Sequence, residues 1–190
     1  MVAGAAGAGR AGKARAVFLD RDGVINRAFV RDGKPFPPNS LAELELLPGT
    51  GEAIGLLKKA GFLIIVVTNQ PDVGAGRQMR EVVEALHARL MAELPIDTIR
   101  VCYHIEQDGC ACRKPKPGML LEAATEYDID LARSYLVGDR WRDIGAGQAA
   151  GCRSFFIDYG YLEKKPEKLY VPVKSLLDAA NEILKASSFY

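Results

Sequence analysis

Residues 16–26, which read AVFLDRDGVIN, constrain the fold more than any other part of the chain. The segment begins with four apolar residues in succession, as does a strand that is buried on both faces of a parallel sheet. Asp20 and Asp22 follow, and Gly23 lets the backbone turn sharply behind them. Ligands of open α/β sheets bind beyond the carboxyl ends of the strands, so we expect both carboxylates to lie at a binding site. Carboxylates this close repel each other unless a cation or a proton joins them.

The remaining chain alternates between short apolar runs and segments with helical periodicity. Strands are predicted at residues 62–67, 98–103, 134–137, 154–157 and 170–173. Helices are predicted at residues 51–59, 77–94, 117–127, 141–150 and 174–185. This alternation predicts an α/β fold, a doubly wound and mainly parallel sheet of the Rossmann-like type. The intervals between the strands leave no room for a large cap domain.

Composition limits the kind of protein this can be. The 190 residues, of which 48% are hydrophobic, suffice for one core. We expect a disordered Ala/Gly-rich tail over residues 1–15, followed by a single domain over residues 16–190, and we expect a monomer. The formal net charge of +1 predicts neither a nucleic-acid partner nor a membrane partner. No apolar run has the length of a membrane span.

Polar side chains stand at the ends of four predicted strands. They are Asp20 and Asp22, Thr68, the segment at residues 102–114, and Asp139 with Asp143. The carboxyl ends of parallel strands meet at one edge of the sheet, so these groups are expected to converge there. This convergence is stronger evidence for a site than any single motif.

Each of these groups suits a step of phosphoryl transfer. Asp20 is a candidate nucleophile, because a carboxylate can accept a phosphoryl group. Asp22 can protonate the leaving oxygen and later deprotonate water. Asp139 is a hard oxygen ligand that suits Mg²⁺, while Thr68 and Lys114 can stabilise the charge on the phosphoryl oxygens.

Four motifs in this order resemble those of haloacid dehalogenase-superfamily phosphatases. They are DRDGVIN at residues 20–26, TNQ at 68–70, RKPKPG at 113–118 and GDRWRD at 138–143. The resemblance implies Asp20 as nucleophile, Asp22 as general acid and base, and Thr68 and Lys114 as phosphoryl-stabilising groups. It further implies that Mg²⁺ is held by Asp20, the backbone carbonyl of Asp22, and Asp139. A covalent aspartyl-phosphate intermediate would form on the nucleophile.

A cysteine-rich segment predicts a second metal. Cys102, His104, Cys110 and Cys112 form a Cys₃His set within eleven residues. Three thiolates and one imidazole suit tetrahedral zinc, and four protein ligands leave no open position, so we expect a structural Zn²⁺. Buried apolar cysteines beside a chance histidine are the alternative. Clustered cysteines of this kind also favour a reducing compartment, and we expect a cytoplasmic protein.

The cysteine loop followed directly by RKPKPGM resembles the zinc-loop branch of the superfamily, the heptose bisphosphate phosphatases. The resemblance implies a small phosphorylated sugar as substrate and heptose biosynthesis as the context. Arg113 is then expected to bind substrate, as are Asn69 and Gln70 after the second strand. Two alternatives stay open here: a histidinol-phosphate phosphatase with the same machinery, and a zinc-loop nucleic-acid-binding module on a degenerate fold.

Three further expectations concern residues outside these motifs. Residues 26–47 are predicted to be irregular, and the basic Arg27, Arg31 and Lys34 either reach back over the site or are solvated. His87, in mid-helix without a neighbouring partner, is predicted to be a surface histidine. Cys152 is predicted to be a core thiol.

Overall fold

The computed structural model describes residues 12–167 and 169–187. The strands are β1 (Ala16–Leu19), β2 (Phe29–Arg31), β3 (Lys34–Phe36), β4 (Leu63–Asn69), β5 (Thr98–Cys102), β6 (Tyr135–Gly138), β7 (Arg153–Ile157) and β8 (Tyr170–Val173). The α-helices are α1 (Thr50–Lys59), α2 (Pro71–Gly74), α3 (Arg80–Glu93), α4 (Gly118–Glu126), α5 (Trp141–Ala150) and α6 (Leu176–Ser187). Short 3₁₀ helices lie at Leu41–Glu43, Glu106–Asp108 and Leu131–Arg133.

Six strands form one sheet in the order β5-β4-β1-β6-β7-β8. Every neighbouring pair is parallel, so each connection crosses over through a helix or a long loop. The strand β1 lies in the interior of this sheet between β4 and β6. The predicted doubly wound parallel sheet is confirmed, and among the described residues no second domain interrupts it.

Side chains of β1 alternate between two hydrophobic cores. Val17 and Leu19 belong to the core shared with α1, α3 and α6, whereas Ala16 and Phe18 belong to the core shared with α4 and α5. All four are fully buried, which explains why this strand has no polar residue before Asp20. Both faces of the sheet are therefore covered by helices, and a ligand can reach the sheet at its edges.

Local structure differs from the sequence prediction in several places, of which three bear on the site. Residues 26–47 contain the antiparallel hairpin β2–β3 and one 3₁₀ helix, so the prediction of an irregular segment was wrong in part. The helix predicted at residues 77–94 begins only at Arg80, because Arg77 closes a turn by binding both the backbone and the side chain of Asp72. The strand predicted at residues 62–67 continues to Asn69, which places Thr68 inside the strand.

The two chain ends are described only in part. Residues 1–11 of the predicted tail lie outside the described residues. Within the rest of that tail, Ala14 donates its amide to Asp128 and accepts from Asp130, and Arg15 donates to the backbone of Ala60. Within residues 12–167 and 169–187, no helix combines the length and the apolar character needed to cross a lipid bilayer.

Candidate active site

Lys114 lies at the centre of a buried group of charges at the carboxyl edge of the sheet. Its ammonium nitrogen Nζ is 2.8 Å from Asp20 Oδ1 and 2.5 Å from Asp143 Oδ1, and it also donates to the Val67 carbonyl at 2.6 Å. Burial alone would lower the pKa of Lys114, but the two carboxylates raise it above its ordinary value. Lys114 is therefore a fixed cation held between the tip of β1, strand β4 and the first turn of α5.

The carboxylate of Asp20 sits at the tip of β1, where the sequence predicted it. Its backbone amide bonds the Val137 carbonyl, which continues the ladder with β6. Burial and the negative charge of Asp143 raise the pKa of Asp20 to about 6, although Lys114 opposes the shift. Lys114 therefore neutralises the charge of Asp20 and its neighbours only in part, and a further cation beside Asp20 would stabilise the ionised carboxylate.

Asp139 supplies a second observation that points to a cation. Its Oδ2 accepts a hydrogen bond from the Tyr161 hydroxyl at 2.9 Å, while its Oδ1 is buried without a partner among the described residues. Burial, together with Asp20 and Asp143, raises the pKa of Asp139 well above its ordinary value. Carboxylate oxygens of these three aspartates lie within 4.8 Å of one another, which is close enough for a shared metal ion.

Gly23 is required for this arrangement of Asp139. Its φ of +87° is in the left-handed region, and a Cβ atom there would lie 1.9 Å from Asp139 Oδ2. Any side chain would displace that carboxylate. The glycine predicted to permit a turn thus also gives Asp139 its place beside β1.

Asp22 is held by several donors. Its carboxylate accepts from Arg21 Nη2 at 2.9 Å, from Asn26 Nδ2 at 3.0 Å and from Gln70 Nε2 at 2.9 Å. Burial favours the neutral acid, but the Arg21 guanidinium and these hydrogen bonds lower the pKa of Asp22 below its ordinary value. The residue lines the same cleft as Asp20, as its predicted role requires.

The predicted site residues of the TNQ segment have different surroundings. Thr68 is buried at the floor of the cleft, and its hydroxyl oxygen accepts from Gln70 Nε2 at 2.9 Å. Asn69 pairs with both backbone groups of Lys114, each at 3.1 Å. Gln70 is 2% exposed and directs its amide to Asp22 and Thr68. The contacts of Asn69 and Gln70 hold other site residues in place. Asn69 also lines the cleft, and the substrate contact predicted for both residues stays a prediction.

The cleft above these groups has a volume of about 160 Å³. The hairpin β2–β3 lines the cleft through Pro35, Phe36 and the following Pro37, and Arg140 and Arg142 line it as well. The segment at residues 26–47 thus reaches the site, which was one of its two predicted alternatives. The residues of this segment that line the cleft are apolar, however, and not the basic ones. Arg27 instead pairs with Glu45 on the surface.

Arg113 lies beside the cleft, in a neighbouring cavity. This second cavity of about 190 Å³ shares Lys114 and Arg142 with the first. Arg113 Nη1 donates to the His104 carbonyl at 3.1 Å, which ties its side chain to the cysteine loop. Burial and the adjacent Arg142 guanidinium lower the pKa of Arg113. Two guanidinium groups this close repel each other, so an anion bound between them would be stabilised.

The four predicted zinc ligands converge in space. Cys102 Sγ is 3.7 Å from Cys110 Sγ and 3.2 Å from Cys112 Sγ, and His104 Nδ1 is 3.3 Å from Cys112 Sγ. These sulfurs are too far apart for a disulfide, and all four cysteines of the chain are free. Four ligands around Zn²⁺ with Zn–S near 2.3 Å would place the sulfurs about 3.8 Å apart, and the three sulfur–sulfur distances here are 3.2, 3.4 and 3.7 Å. Cys152, in contrast, is buried in the core as predicted.

Comparisons with known proteins agree with this geometry. A family model described as HAD-hydrolase-like matches residues 111–179. The heptose-1,7-bisphosphate 7-phosphatase of Bordetella bronchiseptica, named for the β anomer, is 38% identical over 152 residues, which is 76% of this chain and 80% of that protein. A crystal structure of the Bordetella enzyme with magnesium and phosphate superposes with a TM-score of 0.78 at 33% identity, covering 90% of this chain and 99% of that one.

The chain belongs to the heptose bisphosphate phosphatase family. Another member, from Mycobacterium bovis and named for the α anomer, is 37% identical over 156 residues, covering 76% of this chain and 80% of that protein. The family therefore includes relatives named for either anomer. The resemblance to haloacid dehalogenase-type phosphatases that the four motifs predicted is confirmed.

Sequence reasoning missed four residues of this family member's site. Asp143, noted only as a strand-end acid, is the closest partner of Lys114, and its position in the GDRWRD motif was the available signal. Tyr161 and Arg21 bind the carboxylates of Asp139 and Asp22, respectively. His87 is 7% exposed and contacts Arg21, so the prediction of a surface histidine was wrong. Its partner lies 66 residues away, which no local pattern reveals.

Proposed function

We propose that this protein is a magnesium-dependent phosphatase that hydrolyses D-glycero-D-manno-heptose 1,7-bisphosphate to the heptose monophosphate. The observation that carries the proposal is the buried charge group of Asp20, Lys114, Asp139 and Asp143 with Thr68 at its floor. It lies in a chain whose relatives, at up to 39% identity, are named for release of the 7-phosphate. The reaction belongs to the biosynthesis of nucleotide-activated heptose.

We propose two chemical steps, which the positions of the residues support. Because Lys114 takes Oδ1 of Asp20, Oδ2 is left to form a bond to phosphorus while the phosphorus–oxygen bond to the sugar breaks. Asp22 is ionised in the free site, so it takes up a proton from the phosphate monoester as the substrate binds and gives that proton to the leaving sugar oxygen. Water then hydrolyses the aspartyl-phosphate and gives its proton to Asp22, which restores both carboxyl groups. Lys114 and the Thr68 hydroxyl stabilise the phosphoryl oxygens in both steps.

Residues at this site fit Mg²⁺ as cofactor. The unpartnered, buried Asp139 Oδ1 and the neighbouring Asp20 are hard oxygen donors, and we propose that the backbone carbonyl of Asp22 completes the protein ligands. When bound, Mg²⁺ neutralises charge on the phosphate and on the clustered carboxylates. Asp143 is occupied by Lys114 and by the Arg140 amide, so we assign it to holding Lys114.

Magnesium affinity is expected to weaken in acid. The pKa of Asp20 is raised to about 6, and that of Asp139 is raised as well, so below pH 6 protons compete with the metal for both carboxylates. A single competing proton of this pKa weakens binding about tenfold between pH 7.5 and pH 5. Isothermal titration of the metal-free protein with MgCl₂ at both pH values measures the change, and the buffer heat reports the protons released. An affinity that does not vary between these pH values would contradict the assigned ligands.

The Cys₃His group is proposed to hold one structural Zn²⁺. Burial raises the pKa of the Cys102 thiol to about 12, so in the metal-free protein this thiol keeps its proton, whereas a bound Zn²⁺ would deprotonate it. Four protein ligands close the coordination sphere, so the ion takes no direct part in chemistry. The loop leads straight into Arg113 and Lys114, and the ion is proposed to fix their position.

Loss of the zinc is expected to disturb the loop and leave the core intact. Cys110→Ser should reduce the zinc content from about one ion per chain to a small fraction by elemental analysis. Amide exchange should accelerate across residues 105–115, while α1 and α5 stay protected. Activity should fall because phosphoryl transfer is sensitive to displacements of about 1 Å. Cys152→Ser, a buried cysteine outside the cluster, is the matched control. Full zinc content and full activity in Cys110→Ser would refute the assignment.

Substrate preference is proposed to come from the arginines around the two cavities. Arg140 is fixed by Glu163 at 2.5 Å, and Arg142 is shared by both cavities. Together with Arg113 they favour a substrate with a second anionic group over a cationic amino alcohol such as histidinol phosphate. The monomeric state and the cytoplasmic location stay predictions from the sequence.

A substrate panel tests the function. Phosphate release is measured with both anomers of the heptose bisphosphate, with hexose bisphosphates and with histidinol phosphate. The highest kcat/KM is expected for one heptose anomer, with ³¹P NMR showing loss of the 7-phosphate and retention of the 1-phosphate. A higher kcat/KM for histidinol phosphate would overturn the heptose proposal and leave the phosphatase chemistry standing.

A further inference from the structure

Arg21 and His87 make a buried contact between the loop that follows β1 and helix α3. Arg21 is 0% exposed and His87 is 7% exposed. The guanidinium nitrogen Nη1 lies 2.9 Å from the imidazole nitrogen Nε2. Neither residue lines the cleft, so the contact serves no substrate directly.

The chemistry of the pair fixes the direction of this hydrogen bond. A guanidinium can only donate, so Nε2 of His87 must accept with its lone pair. The ring proton of the neutral imidazole is then on Nδ1. Burial, and next the positive charge of Arg21, lower the pKa of His87 to about 4, which agrees with a neutral ring.

Through Arg21 the contact extends to Asp22. Arg21 Nε lies 3.1 Å from Asp22 Oδ1, and Nη2 lies 2.9 Å from Oδ2. A guanidinium is planar and rigid, so an acceptor on Nη1 also determines where Nε and Nη2 point. His87 therefore helps to orient the Arg21 guanidinium, which in turn binds the Asp22 carboxylate.

We propose that His87 is a positioning residue that, through Arg21, holds Asp22 in place for proton transfer to the leaving oxygen. The inference rests on the proposed phosphatase function and adds to it a residue on a helix outside the cleft. Without an acceptor at this position, a buried donor of Arg21 is unsatisfied, and the guanidinium must turn to find another partner. Asp22 then keeps the donors Asn26 and Gln70 but loses the fixed Arg21 contacts and shifts, and a displacement of about 1 Å is enough to cost about 10²-fold in rate.

Two variants and a control separate positioning from packing. His87→Leu removes the acceptor at similar volume, and His87→Gln restores an acceptor oxygen. Leu90→Ala, also buried on α3, weakens packing and leaves the Arg21 contact intact. Each variant is compared by kcat/KM on two esters: the sugar phosphate that the wild type turns over fastest, and p-nitrophenyl phosphate.

The two esters differ in their need for an acid. The value of kcat/KM reports the reaction steps up to and including departure of the leaving group. A sugar alkoxide needs a proton from Asp22 in order to leave, whereas p-nitrophenolate leaves as a stable anion. We expect His87→Leu to lose at least about tenfold on the sugar phosphate and less than about threefold on the aryl ester. His87→Gln should recover most of this difference, and Leu90→Ala should leave the ratio of the two values unchanged.

A measurement on the unmodified protein keeps the proposal testable if His87→Leu does not fold. The ¹⁵N spectrum of the imidazole should show a proton on Nδ1 and a bare Nε2. A proton on Nε2 overturns the proposal. So does a folded His87→Leu variant whose ratio between the two esters matches that of the wild type. A wild type that hydrolyses neither ester refutes the phosphatase, and the role of His87 with it, whereas an active wild type with an unchanged ratio refutes the role of His87 alone.

Discussion

Replacing Asp20 by asparagine is expected to reduce phosphate release by at least about 10³-fold, because the amide cannot attack phosphorus. The fold should survive the change. The amide has nearly the same shape as the carboxylate, and its oxygen can still accept the hydrogen bond from Lys114 that Asp20 Oδ1 accepts now. Lys114 also keeps its ion pair with Asp143.

A continuous phosphate assay and a thermal melt measure the two expectations for Asp20→Asn. Binding of the sugar bisphosphate to the inactive variant, followed by calorimetry, shows whether the cleft is intact. Asp158→Asn is the matched control: this carboxylate is exposed and pairs with Lys165 outside the charge group. Turnover by Asp20→Asn within tenfold of the wild type would remove Asp20 as the nucleophile.

Lys114→Met is expected to impair both activity and stability. The substitution leaves Asp20 and Asp143 buried without their shared cation, and breaking a buried ion pair in this way costs about 3–5 kcal/mol of unfolding free energy. Activity should fall about 10²-fold or more, because the phosphoryl oxygens lose a fixed positive charge. Lys185→Met, on the exposed face of α6, should change neither quantity measurably.

The stability deficit of Lys114→Met should depend on pH with a definite sign. Removing the cation raises the pKa of Asp20 further above the value that it has in the unfolded chain. The folded variant then binds more protons than the unfolded chain, so its stability recovers as the pH falls. Urea unfolding at pH 5 and pH 7.5, each compared with the wild type, should give the smaller deficit at pH 5. A variant with the stability and activity of the wild type at pH 7.5 would contradict the central role given to Lys114.

Sequence reasoning succeeded where a local signal carried the information. The apolar run before Asp20 indicated an interior strand, and the polar residues after successive strands indicated where the chain would bring its functional groups together. The four residues proposed to bind zinc lie within eleven residues of one another, so their composition alone predicted the cluster.

The remainder of the site depends on contacts between distant parts of the chain. The hydroxyl of Tyr161 binds a carboxylate 22 residues earlier, and His87 binds a guanidinium 66 residues earlier. Neither residue lies in a motif, and isolated tyrosines and histidines in α/β chains serve many purposes. The hairpin β2–β3 was missed because its strands have only three residues each and one contains Pro35.

The position of β1 in the sheet has a consequence for synthesis of the chain on the ribosome. β1 is made first, but it pairs with β4 at residues 63–66 and with β6 at residues 135–137. At ordinary translation rates the second neighbour follows the first strand by roughly 6 to 24 seconds. During that interval the side of β1 that pairs with β6 is an unpaired edge, and a nascent chain released before Tyr135 would keep it exposed.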